Sequence, residues 1–396
     1  MPIAQKIEGF LSSSSWIRRM FEEGEKLRKI YGADKVYDFT LGNPDVEPPE
    51  AFHRGLLEIA SKPAPGMHRY MSNAGYVETR QAIAGVLAEE TGKTVTPEHI
   101  VMTCGAGGGL NVVLKTLLNP GEEVVVPTPY FVEYRFYADN HGGRIKEVDT
   151  GKDFQPDLDA LEKAIGPQTR VVLINSPNNP TGVVYSAEIL AAIGRLLDKK
   201  EKELGAPIYL ISDEPYAKIV YDGVAVPSVF NHIKNSIIVT SHSKDLALPG
   251  ERIGYIAINP DIKDAALLFE GFVFCNRTLG FVNAPALIQR LVTPLQRERV
   301  DVNEYREKRD LLYNHLTGLG FDVVKPMGAF YLFPRCPIED DLEFVRSAQK
   351  YNLLLVPGSG FGKRGYFRIS YCMNIQIIRN SLPAFEQLAA DYNLKA

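Results

Sequence analysis

Four cysteines among 396 residues leave little for a disulfide frame. Cys104, Cys275, Cys336 and Cys372 are scattered with no CxxC pair, the distribution of reduced thiols in a reducing compartment. The seven histidines show no HExxH or comparable ligand spacing, which argues against a structural metal. No apolar run approaches membrane-spanning length. The net charge of −4 supplies no basic surplus for nucleic acid. The N-terminus has no apolar signal segment. Ser12 to Ser15 followed by Arg18 and Arg19 faintly suggests a transit peptide, but Glu8, Glu22 and Glu23 oppose it, so the expected location is the cytoplasm.

What the chain has is length for two cores and an ordinary globular balance, 45% hydrophobic and 23% charged. Residues 11–31 read as a helix, with Trp16, Ile17, Met20, Phe21 and Leu27 near helical spacing. Gly42-Asn43-Pro44-Asp45 then forces an irregular crossing. From residue 75 the pattern alternates. Helices are expected at Val77–Glu90, Gly109–Leu118, Tyr130–Asn140 and Ala187–Glu203. Strands are expected at Ile100–Thr103, Glu123–Val126 and near Arg144–Val148, and short apolar ones at Val171–Asn175, Ile208–Ser212 and Ile237–Ser241. This is the signature of an α/β fold with a mostly parallel central sheet flanked by helices. In such sheets ligands bind beyond the carboxyl ends of strands, where Cys104-Gly105, Pro127-Thr128, Asn175-Ser176, Asp213 and Ser241 stand. After about residue 290, helices near 296–319 and 340–351 frame short strands near Phe330–Pro334, Leu353–Val356 and Phe367–Tyr371. A large domain over 45–290 and a smaller α+β domain from 1–44 plus 291–396 are expected.

Five segments carry candidate chemistry. Ser241-His242-Ser243-Lys244 is followed by Arg252 and Gly254-Tyr255, a pattern suited to a lysine that holds pyridoxal phosphate as an imine. Such a site needs an acid beside the ring nitrogen, an aromatic cover and donors for a phosphate. Asp213, in Asp213-Glu214-Pro215-Tyr216, ends an apolar strand and suits a pyridinium partner, with Tyr216 in reach of the ring oxygen. Asn175-Ser176-Pro177-Asn178-Asn179-Pro180-Thr181-Gly182 fixes backbone with proline and aims an amide from a strand end. Gly105-Ala106-Gly107-Gly108-Gly109 opens a helix, whose free N–H groups suit phosphate. A dinucleotide fingerprint fails there, because Leu110 and Val112 occupy its third-glycine positions. A GxSxG hydrolase fails likewise, with Pro357 where glycine is required before Ser359. Pro127 to Tyr134 places aromatics after a strand, where packing is the plainer reading. An isolated Arg252 or Arg368 would be a solvated surface residue, yet guanidinium forks also pair with phosphate and carboxylate.

Together these segments resemble the fold type I pyridoxal-phosphate enzymes, and within them the class I/II aminotransferases related to aspartate aminotransferase. N-N-P-T-G, D-E-P-Y and S-x-S-K…G-x-R-x-G-Y carry the resemblance, which runs from about Gly42 to Arg368. Gly328-Ala329-Phe330-Tyr331 and Pro357-Gly358…Phe361-Gly362 resemble the family's small domain. The resemblance implies an aminotransferase moving an amino group between an L-amino acid and a 2-oxo acid in ping-pong fashion. It implies Lys244 as the imine lysine and proton carrier, Asp213 on the ring nitrogen, Asn179 and Tyr216 on the ring oxygen, and Phe131 on the ring face. Gly105, Ala106, Gly107, Ser241, Ser243 and Arg252 would hold phosphate. Arg368 would clamp the substrate carboxylate, with Gly42 in backbone contact.

It also implies a homodimer, with Tyr70 reaching the phosphate of the neighbouring subunit. Arg277 lies near the place where some relatives with acidic substrates put a partner arginine; a surface salt bridge is its plainer reading. A pyridoxal lyase or synthase, such as a carbon–sulfur β-lyase, is the alternative on the same scaffold. A non-catalytic regulator of this fold is disfavoured by the charge.

Overall fold

The computed structural model describes residues 2–13, 28–29, 32 and 35–394. The helix expected over 11–31 lies largely outside them. The strands are β1 (Tyr37–Asp38), β2 (Ile100–Thr103), β3 (Glu123–Pro127), β4 (Arg144–Val148), β5 (Thr169–Asn175), β6 (Tyr209–Asp213), β7 (Ser236–Ser241), β8 (Gly254–Ile258), β9 (Tyr331–Leu332), β10 (Leu353–Leu354), β11 (Val356–Pro357) and β12 (Phe367–Ser370). Seven form one sheet in the order β2-β8-β7-β6-β5-β3-β4. Only β8 runs against its neighbours; the remaining strands are parallel.

Both faces of this sheet are apolar, and strand alternation divides them. Val171 and Leu173, Tyr209 and Ile211, and Ile237 and Val239 pack on one face, under the helices Gly105–Leu117 and Ala265–Thr278. Val172 and Ile174, Leu210 and Ile238 pack on the other. That second face is covered in part by the helix Ala187–Leu204, which buries Leu190, Ile193 and Leu197. Ser186 caps this helix through Ile189 N–H, and Gly205 ends it in the left-handed region that glycine tolerates.

Three expected boundaries move. The helix expected from Gly109 begins at Gly105, because the glycine-rich stretch itself forms the first turn. The helix expected from Tyr130 begins at Glu133, since Tyr130 N–H is engaged by Phe361 O at 3.0 Å. The helix expected from 296 begins at Val302, where Asp301 supplies the cap to Asn303 N–H. Strand β8 had no counterpart in the expected pattern. Its first two residues, Gly254 and Tyr255, belong to the segment that follows Lys244.

A separate buried cluster joins Phe39, Tyr305, Leu312, Phe330, Phe344, Phe367 and Phe385. Here β11-β12-β9 form an antiparallel sheet, and β1 pairs in parallel with β10. The pairing of β1 brings the chain near Thr40 to Gly42 against residues distant in sequence. Asp340 caps the helix Asp341–Ala348 through the N–H groups of Leu342 and Glu343. Phe344 in that helix is fully buried, with ring centroids 4.8 Å from Phe367 and 5.4 Å from Tyr392. Phe344→Ala is expected to cost about 3–5 kcal/mol, read as a lower midpoint in denaturant unfolding; an unchanged midpoint would contradict this packing.

Candidate active site

The same alternation builds the site. Asn175, Asp213 and Ser241 continue the face that carries Leu173, Ile211 and Val239, so all three project to one side at the carboxyl ends of β5, β6 and β7. Asn175 pairs in register with Asp213, and its Nδ2 donates to Asp213 O at 2.8 Å. Asn175 Oδ1 accepts from Asn179 N at 2.7 Å, which holds the loop carrying Asn179.

These residues line a cavity of about 350 Å³. Of the residues expected at the site, Gly42, Ala106, Gly107, Phe131, Asn179, Asp213, Tyr216, Ser241, Ser243, Lys244, Arg252 and Arg368 all line it. Gly105 lies just behind: it opens the helix at φ +71°, and a Cβ there would stand 2.9 Å from Arg252 Nη2. Tyr70 and Arg277 are not in the cavity. Tyr70 is 88% exposed, in a groove formed with His68, Met71 and Phe281 to Ala284. Arg277, near the end of the helix Ala265–Thr278, lies exposed with its guanidinium 5.5 Å from the Phe274 ring centroid.

Lys244 Nζ donates to Gly42 O at 2.7 Å. Burial pushes its amine down to about 8; Cys372 opposes this, and Arg252 and Arg368 add smaller effects in the same direction as burial. Asp213 Oδ2 accepts from Tyr134 Oη at 2.6 Å, while Oδ1 is buried with no partner. Burial lifts the Asp213 carboxyl to about 7, and the Tyr134 hydrogen bond restrains the rise. Tyr216 Oη lies 2.9 Å from Tyr331 Oη.

Arg368 Nη1 donates to Asn179 Oδ1 at 3.1 Å and Nη2 to Thr40 O at 2.5 Å, while Nε is buried and unpartnered. Its guanidinium carbon lies 4.8 Å from the ring centroids of both Tyr331 and Phe361. Arg252 Nη1 donates to Pro249 O at 2.9 Å. Ser241 Oγ donates to Ser243 Oγ at 3.1 Å. A side chain at Gly42 would run into the Tyr331 hydroxyl.

Among the described residues, no carboxylate forms an ion pair with Lys244, Arg252 or Arg368. Three cations therefore face one cavity against Asp213 and Glu133. A dianionic phosphate and a substrate carboxylate complement them. The unpartnered Asp213 oxygen suits a protonated ring nitrogen, and the glycine-built helix start admits a phosphate. The donor set thus fits pyridoxal phosphate.

Tyr134, Tyr331 and Phe361 are site residues that motif reading did not single out. Tyr134 stands in the same string as Phe131, but nothing in that string distinguishes a hydrogen-bonding tyrosine from a packing one.

The family model for aminotransferase class I and II matches residues 34–384. An aspartate/prephenate aminotransferase of Thermus thermophilus is 34% identical, over 90% of this chain and 91% of its own length. Aromatic-amino-acid aminotransferase 2 of Thermococcus litoralis is 30% identical over the whole of both chains. A crystal structure of an amino transferase from Eubacterium rectale superposes with a TM-score of 0.96 at 40% identity, covering 99% of this chain and all of that one. The aspartate aminotransferase of Thermus thermophilus with maleate superposes at a TM-score of 0.83 and 29% identity, over 94% and 96% of the two chains. With that cavity and these matches, the chain belongs to the class I and II aminotransferases, pyridoxal-phosphate-dependent enzymes of fold type I.

Proposed function

We propose that the chain transfers the amino group of an L-amino acid to a 2-oxo acid by a ping-pong route, with Lys244 moving the proton. Pyridoxal phosphate, when bound, supplies an aldehyde that condenses with amines and a ring that takes up charge from the donor α-carbon. Asp213 holds the ring nitrogen, Asn179 and Tyr216 hold the ring oxygen, and Phe131 covers the ring. Gly105, Ala106, Gly107, Ser241, Ser243 and Arg252 hold the phosphate. Arg368 fixes the donor carboxylate and so orients the α-hydrogen. The carbonyl of Gly42 keeps the Lys244 amine at the cavity floor.

The observation that carries this reading is the placement of Lys244 Nζ, 2.7 Å from Gly42 O, in the cavity that also holds Asp213 and Arg368, where burial pushes its amine down to about 8. An amine of that basicity keeps a minority neutral fraction near physiological pH, far larger than that of an ordinary lysine, and in that form can accept a proton at Nζ.

A second copy of the chain completes the site, making the working unit a homodimer in the cytoplasm. Tyr70 and Arg277 support this. Both are exposed and outside their own cavity, and Asn283 Nδ2 donates to Ser72 O, tying the loop of Tyr70 to the segment after Arg277. The chain works as two units, 45–290 and 1–44 with 291–396.

Incubation with an amino acid and 2-oxoglutarate is expected to yield glutamate and the matching oxo acid in equal amounts, with parallel double-reciprocal lines. Release of ammonia or a thiol from the amino acid alone would overturn this in favour of a lyase. Lys244→Ala should lower turnover by more than about 10³-fold; near-normal turnover would remove the assignment. Competitive labelling of Lys244 with an amine reagent, in protein freed of cofactor, should rise with pH about a midpoint of about 8. An ordinary lysine would rise nearer 10.5, and that result would contradict the account. Arg277→Ala should damage turnover of aspartate or glutamate roughly tenfold more than that of alanine. Equal losses would exclude a distal-carboxylate role for Arg277.

A further inference from the structure

Alternation that turns Asp213 and Ser241 into the cofactor cavity turns their neighbours the other way. Glu214, His242 and Asp245 line a second cavity of about 370 Å³, and Pro215 lines both. None of the charged groups on this far side has a part in the chemistry proposed above.

Four residues there form a closed set, in which Gln296 takes part through both its side chain and its backbone carbonyl. His242 Nδ1 stands 3.2 and 3.3 Å from the Asp245 carboxylate oxygens. Lys218 Nζ is 3.2 Å from Asp245 Oδ2 and donates to Gln296 O at 2.6 Å. Gln296 Nε2 lies 3.4 Å from His242 Nε2. Both ring nitrogens of His242 thus have partners, Nδ1 at the Asp245 carboxylate and Nε2 at Gln296. Burial alone would raise the Asp245 carboxyl, but His242 and Lys218 outweigh it and keep it ionised.

Lys218 stands two residues after Tyr216, and Asp245 directly follows Lys244. We propose that the Lys218–Asp245 ion pair, closed by His242 and Gln296, is a cross-link behind the active site that sets where Lys244 stands relative to Asp213 and Tyr216. The ladder between β6 and β7 stops at the pair Asp213–Val239. Past it, Glu214 N–H reaches Val239 O, the Thr240 hydroxyl reaches Glu214 O, and then comes the ion pair.

Lys244 itself rides on a helical turn of four residues, His242–Asp245, too short to hold its own shape. The backbone of that turn is tied to Ile253 and Val300. Its tie to the segment bearing Tyr216 is the Asp245 carboxylate. Proton transfer demands placement within a few tenths of an ångström, so a loosened turn lowers turnover more than binding. Lys218, Asp245 and His242 are positioning residues in this scheme.

The proposal rests on the roles assigned above to Lys244 and Asp213. Asp245→Asn, Lys218→Met and the double variant are to be compared with the wild-type holoenzyme. Two readouts serve: steady-state kinetics, and visible circular dichroism of the bound cofactor, which reports its angle within the site. Each single variant is expected to lower kcat roughly tenfold or more, with KM for the donor within about twofold, and to change the visible dichroism. The double variant should be no worse than the poorer single, because both remove one interaction.

Unchanged kcat and dichroism in Lys218→Met, or losses that multiply in the double variant, would overturn the cross-link. The Lys218 side chain is 29% exposed at the chamber rim, so Lys218→Met alone decides the matter should Asp245→Asn fail to fold. A wild-type protein without a visible band would instead remove the underlying assignment, so the two failures are distinguishable.

Discussion

A β-strand turns successive side chains to opposite faces, and that period of two decides what meets in this molecule. Asn175, Asp213 and Ser241 share a side because each stands an even number of residues from a core position on the same face. A shift of one residue in β6 would carry Asp213 to the far chamber and bring Glu214 into the cofactor cavity. The buried ladders of β5, β6 and β7 prevent that slip, since both faces are filled by apolar side chains.

Charge then gives the cavity its character. Lys244 and Arg368 are taken largely out of water with no carboxylate partner among the described residues, an arrangement that costs stability, and Arg252 joins them at the exposed side of the cavity. The offsetting groups are backbone carbonyls, Gly42 for the amine and Thr40 and Pro249 for the guanidiniums. A carbonyl orients a cation without neutralising it, so the site keeps its attraction for anions. Asp213 is the opposite case: one oxygen is held by Tyr134 and the other is left free inside the protein. Both arrangements suit a ligand that brings a phosphate, a carboxylate and a cationic ring nitrogen.

Much of the sheet was legible in the chain. β2, β5, β6 and β7 are short apolar runs that stop at polar residues, and that pattern survives without knowledge of neighbours. β8 was not, because Gly254-Tyr255 follows Arg252 so closely that it reads as part of a motif. The site was legible wherever local spacing carried it, as at Lys244, Asp213 and Asn179. Tyr134 was not, because its hydrogen bond to Asp213 spans 79 residues. Tyr331 stands in a family-like string that carries no sign of its role, since its contacts with Tyr216 and Arg368 arise when β9 and β12 pair. Tyr70 and Arg277 carry recognisable spacing yet lie outside the cavity of their own chain.

The central claim is that one lysine amine, at position 244, bonds the cofactor aldehyde. Borohydride reduction of the purified holoenzyme followed by peptide mass mapping tests it directly. The account predicts a single phosphopyridoxyl mass addition on the peptide containing Lys244. A protein left unmodified, or labelled on another lysine with Lys244 free, would contradict it.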